Sequence, residues 1–78
     1  MRGAKLAVLL LLIDRGPLTA REAYWMLRGM GFTYGYATVR RALRELERMG
    51  LARPRMGLYE ALVRAVPAST RRRVGGAP

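Results

Sequence analysis

The sequence predicts a mostly helical α+β domain, three helices followed by a short two-stranded β-hairpin. Three observations predict it. Apolar residues recur at helical spacing in three successive segments. Between and after them stand Gly16-Pro17, Gly29-Met30-Gly31 and Gly50, residues that end helices. After Gly50 the helical period stops, and two short runs flank Pro54-Arg55-Met56-Gly57, a turn sequence.

The first helix is expected at about residues 4–14. Leu6, Leu9, Leu10 and Ile13 carry the i, i+3, i+4, i+7 spacing of a buried stripe. Val8, Leu11 and Leu12 fall on the other side, so the helix is apolar nearly all round. Such a helix is buried on more than one face. The cover for the second face is either residues 64–70 folding back or another copy of the chain. The run LAVLLLLI is too short to span a bilayer, which takes about 20 residues. Asp14-Arg15-Gly16-Pro17 after it lacks the small-residue pattern of a signal-peptide cleavage site. The expectation is an intracellular, cytoplasmic protein.

The second helix opens on Thr19-Ala20-Arg21-Glu22, a capping box in which Thr19 and Glu22 each satisfy a backbone N–H at the helix start. Ala20, Ala23, Leu27 and Met30 make one face. Trp25 falls nearly opposite, beside Arg21 and Arg28. Phe32-Thr33-Tyr34-Gly35 is a short connection. The third helix runs from about Tyr36 to Met49, with Gly50 as its terminating glycine. Its core stripe is Val39, Leu43 and Leu46, with Ala42 and Met49 at the edges. Leu51-Ala52-Arg53 and Leu58 through Val63 are the expected strands. One domain is expected over residues 1–66. Residues 67–78 form a tail rich in Gly, Pro and arginine, of the kind that stays disordered.

Composition narrows the function. The chain has 78 residues, a net charge of +10, no cysteine and no histidine. Disulfides and thiolate metal sites are excluded, and the commonest general base and metal ligand is missing. Asp14, Glu22, Glu45, Glu47 and Glu60 are the only acidic residues, and they are scattered. No enzyme, metal or other cofactor is expected, and no small-molecule effector site is evident in so short a chain. The charge argues for an anionic partner. Lys5 is the only lysine, and arginine suits bidentate contacts to phosphate and guanine.

The arginines cluster in the third helix. With Val39, Leu43 and Leu46 against the core, a turn of about 100° per residue gathers Arg41, Arg44 and Arg48 on the far side. Arg40 sits at the flank. An arginine stripe opposite a buried stripe suits a helix lying in a major groove. The competing reading is a solvated face, with Glu45 pairing Arg41 or Arg48 and Glu47 pairing Arg44.

With LTAREA opening helix two and Thr38-Val39-Arg40-Arg41-Ala42-Leu43-Arg44-Glu45-Leu46-Glu47-Arg48-Met49-Gly50-Leu51 forming helix three, the chain resembles the winged helix-turn-helix DNA-binding regulators. The closest flavour is the PadR-like and MarR-like regulators of bacteria and archaea. In those a Thr-Val/Leu-Tyr/Arg-x-x-Leu-x-x-Leu-Glu-x-x-Gly-Leu run is the recognition helix leading into the wing. The resemblance covers about residues 4–65. It implies a transcriptional regulator that reads double-stranded DNA with helix 36–49 and sets its wing on the backbone. Tyr36, Thr38, Arg40 and Arg41 would then reach base edges, with Tyr34 at the entrance. Arg44 would meet a base or a phosphate, and Arg48 a phosphate. Arg53 and Arg55 would be the wing contacts. Arg71, Arg72 and Arg73 either clamp phosphate nonspecifically or solubilise a tail.

Dimeric readers of paired half-sites are common in that family. The expected homodimer surface is Val8, Leu11 and Leu12, with Trp25 and Val66 as contributors. Two other functions fit the same sequence. One is a nonspecific architectural DNA-binding protein; the other is a winged helix serving as a protein–protein or RNA-associated module.

Overall fold

Leu18 and Tyr59, 41 positions apart in sequence, exchange both of their backbone hydrogen bonds, at 3.0 and 2.7 Å. That single bridge ties the segment between the first two helices to the hairpin and closes the domain. The structure is a computed structural model and describes residues 1–67. The order is α1 (Gly3–Arg15), α2 (Ala20–Gly29), α3 (Tyr36–Arg48), β1 (Ala52–Arg55) and β2 (Leu58–Ala61). This is the α+β, winged-helix-like layout that the sequence predicts. The expected tail, with Arg71, Arg72 and Arg73, lies outside the described residues except at Pro67.

Helix ends follow the local chemistry. The Glu22 N–H donates to Thr19 Oγ1 at 3.0 Å, and the Thr19 N–H donates to Glu22 Oε1 at 2.9 Å, the reciprocal box expected at α2. Both α2 and α3 end in the same device. Gly31 (φ 99°) and Gly50 (φ 79°) take the left-handed conformation that L side chains resist. The next residue then donates back into the last turn, Phe32 to the Leu27 carbonyl and Leu51 to the Leu46 carbonyl, each at 2.9 Å.

The hairpin differs from its expected bounds. β1 runs on through Pro54 and Arg55, and the loop is only Met56-Gly57, both at positive φ (54° and 84°). Two consecutive positive-φ residues are the signature of a type I′ turn, whose twist matches that of the strands. Pro54 is tolerated because β1 is an edge strand. Its partner Tyr59 turns its backbone groups toward Leu18, so no ladder bond is missing at that pair.

The core is Val8, Leu9 and Leu12 from α1, Leu27 from α2, and Val39, Leu43 and Leu46 from α3, all essentially inaccessible. Here the structure corrects the phase expected for α1. Leu10 is half exposed and Leu6 and Ile13 are only partly buried, while Val8, Leu9, Leu11 and Leu12 are buried. The buried face is rotated by roughly 130°, at about 100° per residue. A helix apolar all round carries no phase of its own, so its neighbours set it. α1 packs on α3, on α2 and on β2, and Ala61 and Val63 lie beside Leu12 and Ile13. The second face is covered from within the chain.

Candidate nucleic-acid interface

α3 owes its amphipathic character to contrast. Val39, Ala42, Leu43 and Leu46 are buried, and Arg40, Arg41, Arg44 and Arg48 are exposed. Ala37, Arg40, Arg41 and Arg44 surround one shallow surface concavity of about 300 Å³. Arg44, Glu47 and Arg48 line a second of about 350 Å³. The methyl-sized Ala37 leaves the first turn of the helix open between the guanidinium groups.

The glutamates of α3 do not neutralise this face. Glu45 turns to α1 and pairs with Lys5 at 3.3 Å. Glu47 lies beside Arg44 and Arg48 without an ion pair to either. Among the described residues, no carboxylate comes within 4 Å of a guanidinium nitrogen of Arg40, Arg41, Arg44 or Arg48. The pairing of Glu45 with Arg41 or Arg48, and of Glu47 with Arg44, is not what the structure contains. An exposed pair such as Lys5–Glu45 contributes about 0–1 kcal/mol. Its effect here is to take one negative charge off the arginine face.

The other expected contact residues are dispersed. Thr38 is half-buried on the flank of α3 toward Ala42. Tyr34 is half-buried in the connection before the helix and stacks on Phe32, rings 5.5 Å apart and nearly parallel. Tyr36, the first residue of α3, meets the edge of Tyr24 on α2, at 5.7 Å. The Arg40 guanidinium stands over the Tyr36 ring at 5.9 Å.

On the wing, Arg53 and Arg55 share one face of β1, and Glu60 sits across from Arg53 in register. Arg53 Nε donates to Glu60 Oε2 at 2.6 Å, and Arg55 Nη1 lies 3.5 Å from Oε1. The hydrogen bond from Arg53, reinforced by both positive charges, holds the Glu60 carboxyl below the usual carboxylate range. Glu60 therefore removes about half the charge that the wing face would otherwise present. A turn across Pro54–Gly57, as the sequence suggests, does not bring Glu60 opposite Arg53. A two-residue loop at Met56-Gly57 fixes the register and puts position 60 opposite 53.

The chain matches no protein-family model, no curated protein and no solved structure.

The expected homodimer surface is not assembled. Val8, Leu11 and Leu12 are at most 4% exposed within one chain. Trp25 is 60% exposed, but it stands with Tyr24 and Tyr36 beside the start of α3. Val66 is half-buried against the core. The open apolar surface lies elsewhere, in a groove of about 550 Å³ lined by Leu10, Ile13, Met30 and Phe32. Among the described residues no group of three His, Cys, Asp or Glu side chains converges on a metal-sized site, and no helix is long and apolar enough to cross a membrane.

Proposed function

We propose that the chain is a non-catalytic winged helix-turn-helix regulator that binds double-stranded DNA, with α3 in the major groove and the hairpin on the backbone. The observation that carries this reading is the unneutralised arginine face of α3. Four exposed arginines lie on one helix whose opposite side is fully buried, and its glutamates leave them unpaired. Phosphate neutralisation and counterion release supply the affinity for such a surface.

The residue types also say which bases it reads. The chain contains no Asn and no Gln, the side chains that pair bidentately with adenine. Arginine remains, and its bidentate partner is guanine O6 and N7. Arg41 and Arg44 are the base-reading candidates, and Arg48, Arg53 and Arg55 meet phosphates. Tyr36 and Tyr34 belong to the margin of the interface. The site of action that follows is the chromosome, in the cytoplasm.

The test is selection of bound fragments from genomic DNA, followed by salt titration of the best fragment against random duplex. A regulator enriches fragments with shared guanine-containing sites and prefers them over random duplex. Equal affinity for both, with a steep salt slope, belongs instead to an architectural binder. Absence of duplex binding at low salt points to a protein or RNA module.

Self-association is a separate reading, favoured by the exposed Leu10 and Met30 in the α1–α2 groove. A homodimer through that groove gives twice the chain mass in sedimentation equilibrium at micromolar concentration, and Leu10→Asp reverts it to monomer. A monomer before the substitution removes the dimer.

A further inference from the structure

The least explained feature of the surface is Trp25, the only tryptophan of the chain, left 60% exposed on α2. It is not isolated. Its ring meets the edge of Tyr24 at 5.0 Å with an interplanar angle of 69°. Tyr24 in turn meets Tyr36, the first residue of α3, at 5.7 Å and 85°. Trp25 and Tyr36 thus both stand steeply to the central Tyr24. Together with Arg21 the three rings enclose a concavity of about 200 Å³.

The charged side chains that wall this pocket or stand over its rings are positive. Arg21 is part of its wall, Arg28 stands 5.7 Å over Tyr24, and Arg40 stands 5.9 Å over Tyr36. The one carboxylate of α2, Glu22, is committed to the backbone of Thr19 at the helix start. An aromatic cage without an acidic wall and with three guanidinium groups around it repels a cationic guest. It suits a flat, π-rich group attached to anions. Stacking on aromatic rings within a positively charged groove is how proteins hold unpaired nucleobases.

We propose that the Tyr24–Trp25–Tyr36 pocket is a stacking site for one unpaired nucleobase, so that the chain binds single-stranded DNA continuing from a duplex held on α3. This rests on the DNA-binding reading and extends it. Arg40 of the arginine face stands over Tyr36 of the pocket, so the two surfaces adjoin and a strand leaving the duplex reaches the pocket past a guanidinium group. The target is then a junction, a frayed end or a locally melted site in addition to plain duplex. Arg21 and Arg28 meet the phosphates that flank the captured base.

The experiment uses the full chain and three labelled probes: a blunt duplex, the same duplex with a short single-stranded thymidine overhang, and that overhang made abasic. Affinity is read by anisotropy of the label, and pocket occupancy by Trp25 fluorescence, which reports from inside the site. The overhang probe is expected to bind about tenfold or more tightly than the blunt duplex and to quench Trp25. The abasic probe loses both the quenching and the gain. Trp25→Ala abolishes the preference for the overhang and leaves blunt-duplex affinity unchanged, while Trp25→Phe retains part of it. Equal affinity for blunt and overhang probes overturns the pocket and leaves the duplex reading standing. Quenching by the abasic probe as strong as by the thymidine probe also overturns it. Binding of the overhang with no binding of blunt duplex keeps the pocket and overturns the duplex reading.

Discussion

Glu60 makes the wing's part in DNA binding measurable. Its carboxylate holds Arg53 at 2.6 Å and Arg55 at 3.5 Å, so the wing face carries two guanidinium groups and one compensating charge. Glu60→Gln keeps the size of the side chain and removes the charge. The net positive charge of the face then doubles, and both arginines become free to turn to phosphates. Each added phosphate contact steepens the slope of log K against log salt by about 0.9. The account therefore predicts a slope steeper by about 0.9 to 1.8 and a several-fold tighter complex at low salt. Anisotropy of a labelled duplex across a salt series reads both. An unchanged slope in Glu60→Gln refutes the placement of the wing on the backbone. The same residue gives a pH signature. Its carboxyl is held below the ordinary value, chiefly by the Arg53 hydrogen bond, so its contribution to folding is present above about pH 4.3. That contribution is lost as pH falls through the lowered folded-state value. Acid unfolding of Glu60→Gln lacks this component.

Two further substitutions test how the interface is held. Thr19→Ala removes the Oγ1 acceptor for the Glu22 N–H, one of the two capping-box bonds, and is expected to destabilise the domain by about 1 kcal/mol. That lowers the melting temperature by about 4–8 °C, and a melt within 1 °C of the parent, roughly 0.2 kcal/mol on that scale, shows that the box is not formed. Met56→Asn places a residue that tolerates the left-handed conformation at φ 54°, where the native side chain is 94% exposed and packs on nothing that would be lost. A gain of about 0.5–1 kcal/mol in chemical denaturation is expected; a loss contradicts the type I′ turn.

How far the sequence could be read depended on contrast between neighbouring residues. In α3, leucine and valine alternate with arginine, so the buried stripe, the exposed stripe and the Gly50 terminator could all be phased from sequence. In α1 every position from Leu6 to Ile13 is apolar, and nothing in the pattern separates Leu10 from Leu9. Only the packing of α1 on α3, α2 and β2 decides that Val8, Leu11 and Leu12 go in and Leu10 stays out. The Leu18–Tyr59 bridge involves one residue on each side, too short to leave a periodic signal. Glu60 and Glu45 escaped for a related reason. Their partners, Arg53 and Lys5, come from other elements: the first pair depends on the hairpin register, and for Glu45 helix spacing alone points to partners within α3. The contact of Tyr24 with Tyr36 likewise needs the angle between α2 and α3, which no local pattern carries.

The most direct test of the central claim is duplex affinity after single substitution on the exposed face of α3. Arg41→Ala and Arg44→Ala are compared with Arg15→Ala, which removes the same charge from the end of α1, where Arg15 pairs with Asp14. The account predicts that Arg41→Ala and Arg44→Ala each weaken binding by about 1–3 kcal/mol, while Arg15→Ala changes it little. Equal affinities for all three variants and the parent chain would take α3 out of the contact surface and contradict the account.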